Sequence, residues 1–253
     1  MRVENIPNHE NEFDEHGLDI DGKIFHLTPS SIAIPNEDSE MAYVLTKSAN
    51  GDTSFYHREA QQKDQIVLHY TMGYLRGDIA QLTRNNMHVS VPFVIGCNGK
   101  IYNLFSSKYW SYHLGPGSVG GNKVRSQKTI GIELCNIGPL TNRGDALSTS
   151  YSSTDKYCDL AQTEHYQSAS YRDFDYYSTF ADAQYEALIV LVRYLTARYD
   201  IKRKFLPESE RFETRDSVPS FGGIVSHVNY RATGKTDIGP AFDWQRLIDG
   251  VIL

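Results

Sequence analysis

Ile66-Val67-Leu68-His69-Tyr70-Thr71 is a short apolar run that carries a histidine at its end. Far down the chain, Ile224-Val225-Ser226-His227-Val228-Asn229-Tyr230 repeats the arrangement, and Arg231-Ala232-Thr233-Gly234-Lys235-Thr236-Asp237-Ile238-Gly239-Pro240 follows it. Lys235 and Asp237 stand eight and ten positions after His227. Apolar runs this short read as buried strands, so each histidine is delivered at a strand end. Two imidazoles and a carboxylate are three protein ligands. They leave a fourth tetrahedral position for water, the arrangement a catalytic zinc site needs.

Working outward from these two runs, strands and helices alternate. Val91–Cys97 and Lys100–Leu104 flank Asn98-Gly99, a two-residue hairpin signal, and Thr129–Leu134 is a further strand run. Between them Asp78–Asn86 reads as a short helix capped by Asp78, with Ile79 and Leu82 on one face. Asp182 to Tyr199 is the clearest helix, because Leu188, Leu191, Val192, Leu195 and Tyr199 form one stripe. A last helix spans Asp243–Val251, with Trp244, Leu247, Ile248 and Val251 on one face. This alternation predicts an α/β fold with a central mixed β-sheet flanked by helices.

At 253 residues with 40% hydrophobic content, the chain is large enough for a substantial core. Its formal net charge of −6 argues against a nucleic-acid binder that works by neutralising phosphates. No run of about 18 apolar residues offers a membrane span. Cys97, Cys135 and Cys158 are odd in number and lack CxxC spacing, so they read as free thiols. Residues 1–60 are rich in Asn, Glu, Asp and Ser and read as an N-terminal extension. Ile24-Phe25-His26-Leu27 and Tyr43-Val44-Leu45 could supply one or two strands with which it packs on the domain at 61–253. Residues 141–178 are polar and hold six tyrosines, Tyr151, Tyr157, Tyr166, Tyr171, Tyr176 and Tyr177. A connection so long is usually functional or poorly ordered. The expectation is an insertion outside the core that covers a groove and shapes substrate choice, against a surface excursion remote from it.

Six segments in order carry a resemblance. They are Leu68-His69-Tyr70-Thr71; Ser90-Val91-Pro92-Phe93-Val94-Ile95 with Asn98-Gly99-Lys100-Ile101-Tyr102; Tyr112-His113-Leu114-Gly115; Ile130-Gly131-Ile132-Glu133-Leu134; Ala183-Gln184-Tyr185-Glu186-Ala187-Leu188; and His227 through Lys235, Asp237, Gly239 and Pro240. Together they resemble the zinc-dependent N-acetylmuramoyl-L-alanine amidases of type 2, a family that includes phage lysis amidases and peptidoglycan recognition proteins. The resemblance implies a zinc groove on one face of the sheet. It also implies hydrolysis of the amide between N-acetylmuramic acid and L-alanine in peptidoglycan or muropeptides.

By the same resemblance His69, His227 and Asp237 hold Zn2+. Glu133, otherwise an outward-facing strand residue, becomes the general base, and Lys235, otherwise a solvated loop cation, steadies the oxyanion. His113 lines the substrate groove. Where many relatives carry an aromatic-His pair, this chain has Val91-Pro92, which places more weight on Glu133. A non-catalytic peptidoglycan-binding module is the alternative; inactive members of the recognition branch generally lack the third ligand, and Asp237 is present. A metalloprotease is disfavoured by the absence of an HExxH helix. Met1 to Asp21 shows no signal pattern, so the expectation is a cytoplasmic chain, one delivered to the cell wall by a non-classical route, or one already trimmed. Oligomeric state is left open.

Overall fold

The computed structural model describes residues 1–252. In chain order the elements are α1 (Ile6–His16), β1 (Phe25–Ala33), β2 (Glu40–Ser48), β3 (Gln65–Tyr70), α2 (Leu75–Leu82), β4 (Phe93–Ile95), β5 (Ile101–Asn103), α3 (Asn122–Lys128) and β6 (Thr129–Leu134). They continue with β7 (Pro139–Asn142), β8 (Ala146–Thr149), β9 (Lys156–Asp159), β10 (Tyr166–Tyr171), β11 (Phe174–Ser178), α4 (Asp182–Tyr199), β12 (Ile224–Ser226), α5 (His227–Tyr230) and α6 (Trp244–Ile252).

Seven strands form one mixed sheet in the order β1-β2-β5-β4-β6-β3-β12. β3 lies between β6 and β12 and runs parallel to both. All six of its residues are buried, as expected of a parallel strand covered on both faces. Alternation divides its side chains. Ile66 and Leu68, with Ile130, Ile132 and Leu134 of β6, pack under the α4 stripe of Leu188, Leu191, Val192 and Leu195 and under Trp244, Leu247 and Val251 of α6. Val67 and Val225 face the other way and meet Leu114, Leu206, Val218 and Tyr230. The period of two therefore sends His69 and Glu133 to the face away from α4.

Residues 1–60 are woven into this sheet. β1 pairs antiparallel with β2, and β2 pairs parallel with β5. Glu10 of α1 is fully buried, and its carboxylate accepts the backbone amides of Cys97 (2.7 Å) and Asn98 (2.8 Å) in the β4–β5 turn. That turn is longer than the two residues the Asn98-Gly99 signal suggests. Gly96 N–H donates to Lys100 O at 3.0 Å, only Gly99 takes a positive φ (80°), and the Asn98 side chain instead accepts the Lys100 amide.

Residues 141–178 are not an irregular connection. With Pro139 and Leu140 they build a five-stranded antiparallel sheet in the order β10-β11-β7-β8-β9. Leu140, Leu147, Tyr157 and Cys158 make its core with Ile6 and Ile137, and Tyr166 and Tyr176 pack against it. Tyr157 is thus part of a small core and Tyr166 and Tyr176 lie against it, whereas Tyr151 is exposed. Arg172 and Asp173 connect β10 to β11 with φ of 45° and 70°, and Tyr171 pairs with Phe174. This is a two-residue hairpin of the type with both central φ positive, made here without glycine.

The Glu10 contact generates a test. Glu10→Ala orphans two amides at a buried turn, so it should destabilise the chain by about 1–3 kcal/mol in urea unfolding. An unchanged midpoint would show that α1 does not hold the β4–β5 turn.

Candidate metal centre and active site

Strand register assembles the site. His69 pairs with Glu133 across β3 and β6. Ser226 pairs with Leu68 across β12 and β3, so His227, the next residue, arrives beside His69. All three stand where parallel strands end at their carboxyl termini, the usual location of sites in such sheets. His227 is also held by its own turn. The Ser226 amide donates to Asn229 Oδ1 (2.8 Å), and buried Asn229 Nδ2 donates to the carbonyls of Glu210, Arg211 and Glu213. Asp237 is fixed through its backbone, since the Val228 amide donates to its carbonyl at 2.9 Å.

The side chains of His69, His227 and Asp237 converge and are all buried. His69 Nδ1 lies 2.9 Å from His227 Nδ1 and 3.2 Å from Asp237 Oδ2, and His227 Nδ1 lies 2.8 Å from Asp237 Oδ2. The protons in this triangle can be deduced. His227 Nε2 lies 2.9 Å from the Leu114 carbonyl, which only accepts, so that nitrogen carries the hydrogen. His69 Nε2 lies 3.0 Å from His113 Nδ1, and His113 Nε2 lies 2.8 Å from Thr129 Oγ1. Thr129 Oγ1 donates its own hydrogen to the Arg125 carbonyl at 2.8 Å. It must therefore accept from His113 Nε2–H, leaving His113 Nδ1 to accept from His69 Nε2–H. With both rings neutral, the two Nδ1 atoms then present lone pairs toward the Asp237 carboxylate. Three acceptors at such separations repel one another unless a cation lies among them, so the donor set fits a metal ion. The outer hydrogen bonds orient the rings as outer partners of metal-ligating histidines do.

The electrostatics agree. Burial, reinforced by His227, lowers the pKa of His69 to about 4, with Asp237 opposing. Burial and the imidazoles of His69 and His227 hold His113 well below its ordinary value. Burial works to raise Asp237, yet its contacts with His227 and His69 keep its carboxyl well below the usual range. At neutral pH His69 is thus a neutral imidazole and Asp237 a carboxylate, the forms that bind metal.

Glu133 projects on the same face as His69. Its Oε2 is buried without a hydrogen-bond partner. Burial, then the Asp237 charge, raises its pKa well above the ordinary value, and Lys235 opposes them. Lys235 is half-buried in the loop before Asp237 and forms no salt bridge among the described residues. His113 has its ring between His69 and Thr129 and is partly exposed, so it stands directly behind a candidate ligand.

Residues 59–240 match the family model for N-acetylmuramoyl-L-alanine amidase. The chain belongs to this family. Among curated proteins, AmiD of Escherichia coli K12, an N-acetylmuramoyl-L-alanine amidase, is 26% identical over 231 residues, covering 89% of this chain and 67% of AmiD. A solved complex of E. coli AmiD with the substrate anhydro-N-acetylmuramic acid-L-Ala-D-gamma-Glu-L-Lys superposes with a TM-score of 0.49 and 23% identity. The match covers 77% of this chain and 59% of that one, so the chain spans about three-fifths of its length. AmpDh3 from Pseudomonas aeruginosa gives a TM-score of 0.47 at 18% identity over 79% of this chain and 65% of its own.

Several residues that serve the site escape a reading of the sequence. Gly131 is one. A Cβ there would stand 2.6 Å from Val91 Cγ1 and 3.0 Å from His113 Nδ1, so its missing side chain lets the His113 ring reach His69. A glycine inside an apolar strand was the available signal. Thr129 and the Leu114 carbonyl leave no such mark. Asp78 corrects an expectation: it does not cap α2, which begins at Leu75 with Tyr74 at the N-cap. It is a buried residue of the first turn, and its Oδ2 lacks a partner.

Burial raises the Asp78 pKa from 3.8 to about 6 against hydrogen bonds from Thr71 and Cys135, and Glu10 adds to the rise. A carboxyl raised on folding stabilises the fold while protonated and loses that contribution as pH climbs from 3.8 through about 6. Asparagine stays neutral throughout. Asp78→Asn should therefore gain on the parent by about 2–3 kcal/mol between pH 4 and pH 7, at about 1.4 kcal/mol per unit. Urea midpoints at the two pH values measure it; an identical parent–variant difference at both would refute the buried-acid assignment.

Proposed function

We propose that this chain is a zinc-dependent amidase that cleaves the amide joining the lactyl group of N-acetylmuramic acid to L-alanine. Peptidoglycan or a muropeptide derived from it is the substrate. The observation that carries this reading is the buried convergence of His69 Nδ1, His227 Nδ1 and Asp237 Oδ2, three acceptors with no proton left to share between the two imidazoles. Family membership and the muropeptide bound in the solved AmiD complex support the substrate class.

Zinc, when held by these three side chains, supplies Lewis-acid polarisation of the scissile carbonyl and acidifies water at the open position. Glu133 accepts the proton of the attacking water and returns one to the leaving amine of L-alanine. Its unpartnered Oε2 and raised affinity for protons suit a group that must first take a proton and then give it up. Lys235 stabilises the negative charge that builds on the carbonyl oxygen. His113 is behind His69, where it keeps Nδ1 of the ligand free of its proton. Asp237 favours this reading over a binding module, because turnover needs the third ligand.

The reconstituted chain should hold close to one zinc by elemental analysis. Mass spectrometry of digested muropeptides should show free stem peptides beginning with L-alanine, and His227→Ala should lose both metal and products. Zinc bound without such products would favour a binding module, and no zinc at all would end the catalytic reading.

Metal binding and chemistry separate at Glu133. Glu133→Ala should keep its zinc and fold while turnover drops by roughly two to four orders of magnitude. A parental rate in this variant would remove Glu133 from the reaction.

A further inference from the structure

We infer that Arg172, at the tip of the β10–β11 hairpin, is a positioning residue that clamps the loop carrying Lys235 and Asp237. The inference rests on the proposed metal role of Asp237. Arg172 Nη1 donates to the carbonyl oxygens of Arg231 (2.9 Å) and Lys235 (2.6 Å). These two carbonyls stand at the two feet of an arch, because residues 232–234 between them are exposed and Gly234 has φ of 69°. One planar guanidinium thus closes a loop that has no regular structure of its own, immediately before Lys235 hands the chain to Asp237.

The rest of the hairpin secures the clamp. Tyr171 hydroxyl donates to the Phe212 carbonyl at 3.0 Å, and the Arg172 guanidinium lies 5.5 Å from the centre of the Tyr171 ring. Tyr177 hydroxyl donates to the Tyr171 carbonyl. Beyond Asp237, a Cβ on Gly239 would stand 3.3 Å from Tyr177 Cδ1 and 3.4 Å from Tyr70 Cε1, so β11 and β3 press on the chain just after the ligand. The second sheet therefore grips the chain on both sides of Asp237. Arg172 makes no side-chain contact with His69, His227 or Glu133 and acts only through backbone.

The test uses Arg172→Ala and Arg172→Lys in the full chain. In the metal-free protein, hydrogen exchange across residues 231–239 should quicken in Arg172→Ala while β3 and β6 stay protected. Zinc affinity, measured by competition with a chromogenic chelator, should fall by about ten- to a hundredfold. On a soluble muropeptide kcat should fall more than KM rises, since Lys235 works on charge present only in the transition state. Arg172→Lys keeps a cationic N–H donor without the planar geometry and should recover part of each effect. Unchanged exchange, or parental zinc affinity in Arg172→Ala, overturns the inference, as does equal damage in both variants with the far-ultraviolet circular dichroism of the parent. If Arg172→Ala loses β-structure, the Lys variant decides alone, with partial loosening of 231–239 supporting the clamp and parental exchange refuting it. If the parent itself binds no zinc, the functional proposal fails, and the exchange measurement still decides whether Arg172 holds the loop.

Discussion

Three lone pairs directed at one another in a buried volume are the constraint around which this molecule is organised. Left alone, His69 Nδ1, His227 Nδ1 and Asp237 Oδ2 cost free energy, because none can donate to the others and water is excluded from all three. Everything near them serves to hold that arrangement. The Leu114 carbonyl and the His113–Thr129–Arg125 series take the outward hydrogens of the two rings, and Gly131 leaves the space for it. The protein stores an electrostatic strain that a cation relieves, which is how a folded chain can be ready for a metal ion before one arrives.

That strain needs a rigid support, and the support is shared between two sheets. The parallel trio β6-β3-β12 brings Glu133, His69 and His227 to one level at the strand ends, with α4 and α6 filling the opposite face. Asp237 has no strand. It hangs on a backbone bond to Val228, on the Tyr70–Thr236 hydroxyl contact and on the tip of the second sheet. The candidate ligand with the least regular surroundings thus has the most varied set of anchors, and one of them comes from the second sheet.

Burial sets the protonation logic of the site. Asp237 is held below the usual carboxylate range by its place against His227 and His69, whereas burial outweighs the other influences on Glu133 and Asp78 and raises both. Environment alone thus pushes the Asp237 and Glu133 carboxyls in opposite directions, with Lys235 as the cation that moderates the second.

What the sequence determined by itself was periodic or punctuated. The α4 stripe, the β6 and β12 runs and the strand-end histidines could be read directly, because period and run length report on burial. The ordered series of six segments carried the family. Tertiary structure alone decided the rest. Whether Glu133 faces His69 depends on the register between β3 and β6, which no local signal states. Whether the His113 ring can reach His69 depends on the gap at Gly131, and its tautomer depends on which hydrogen Thr129 has to spare. Residues 141–178 look like a polar excursion because their strands are short and half of their small core comes from outside the segment, Ile137 and Leu140 from just before it and Ile6 from the far end of the chain. Asp78 is suitable as a cap by type and is buried by position. Each of these outcomes is set by partners distant in sequence, and the hydrogen bonds and packing that fix them come into existence only when the chain has closed.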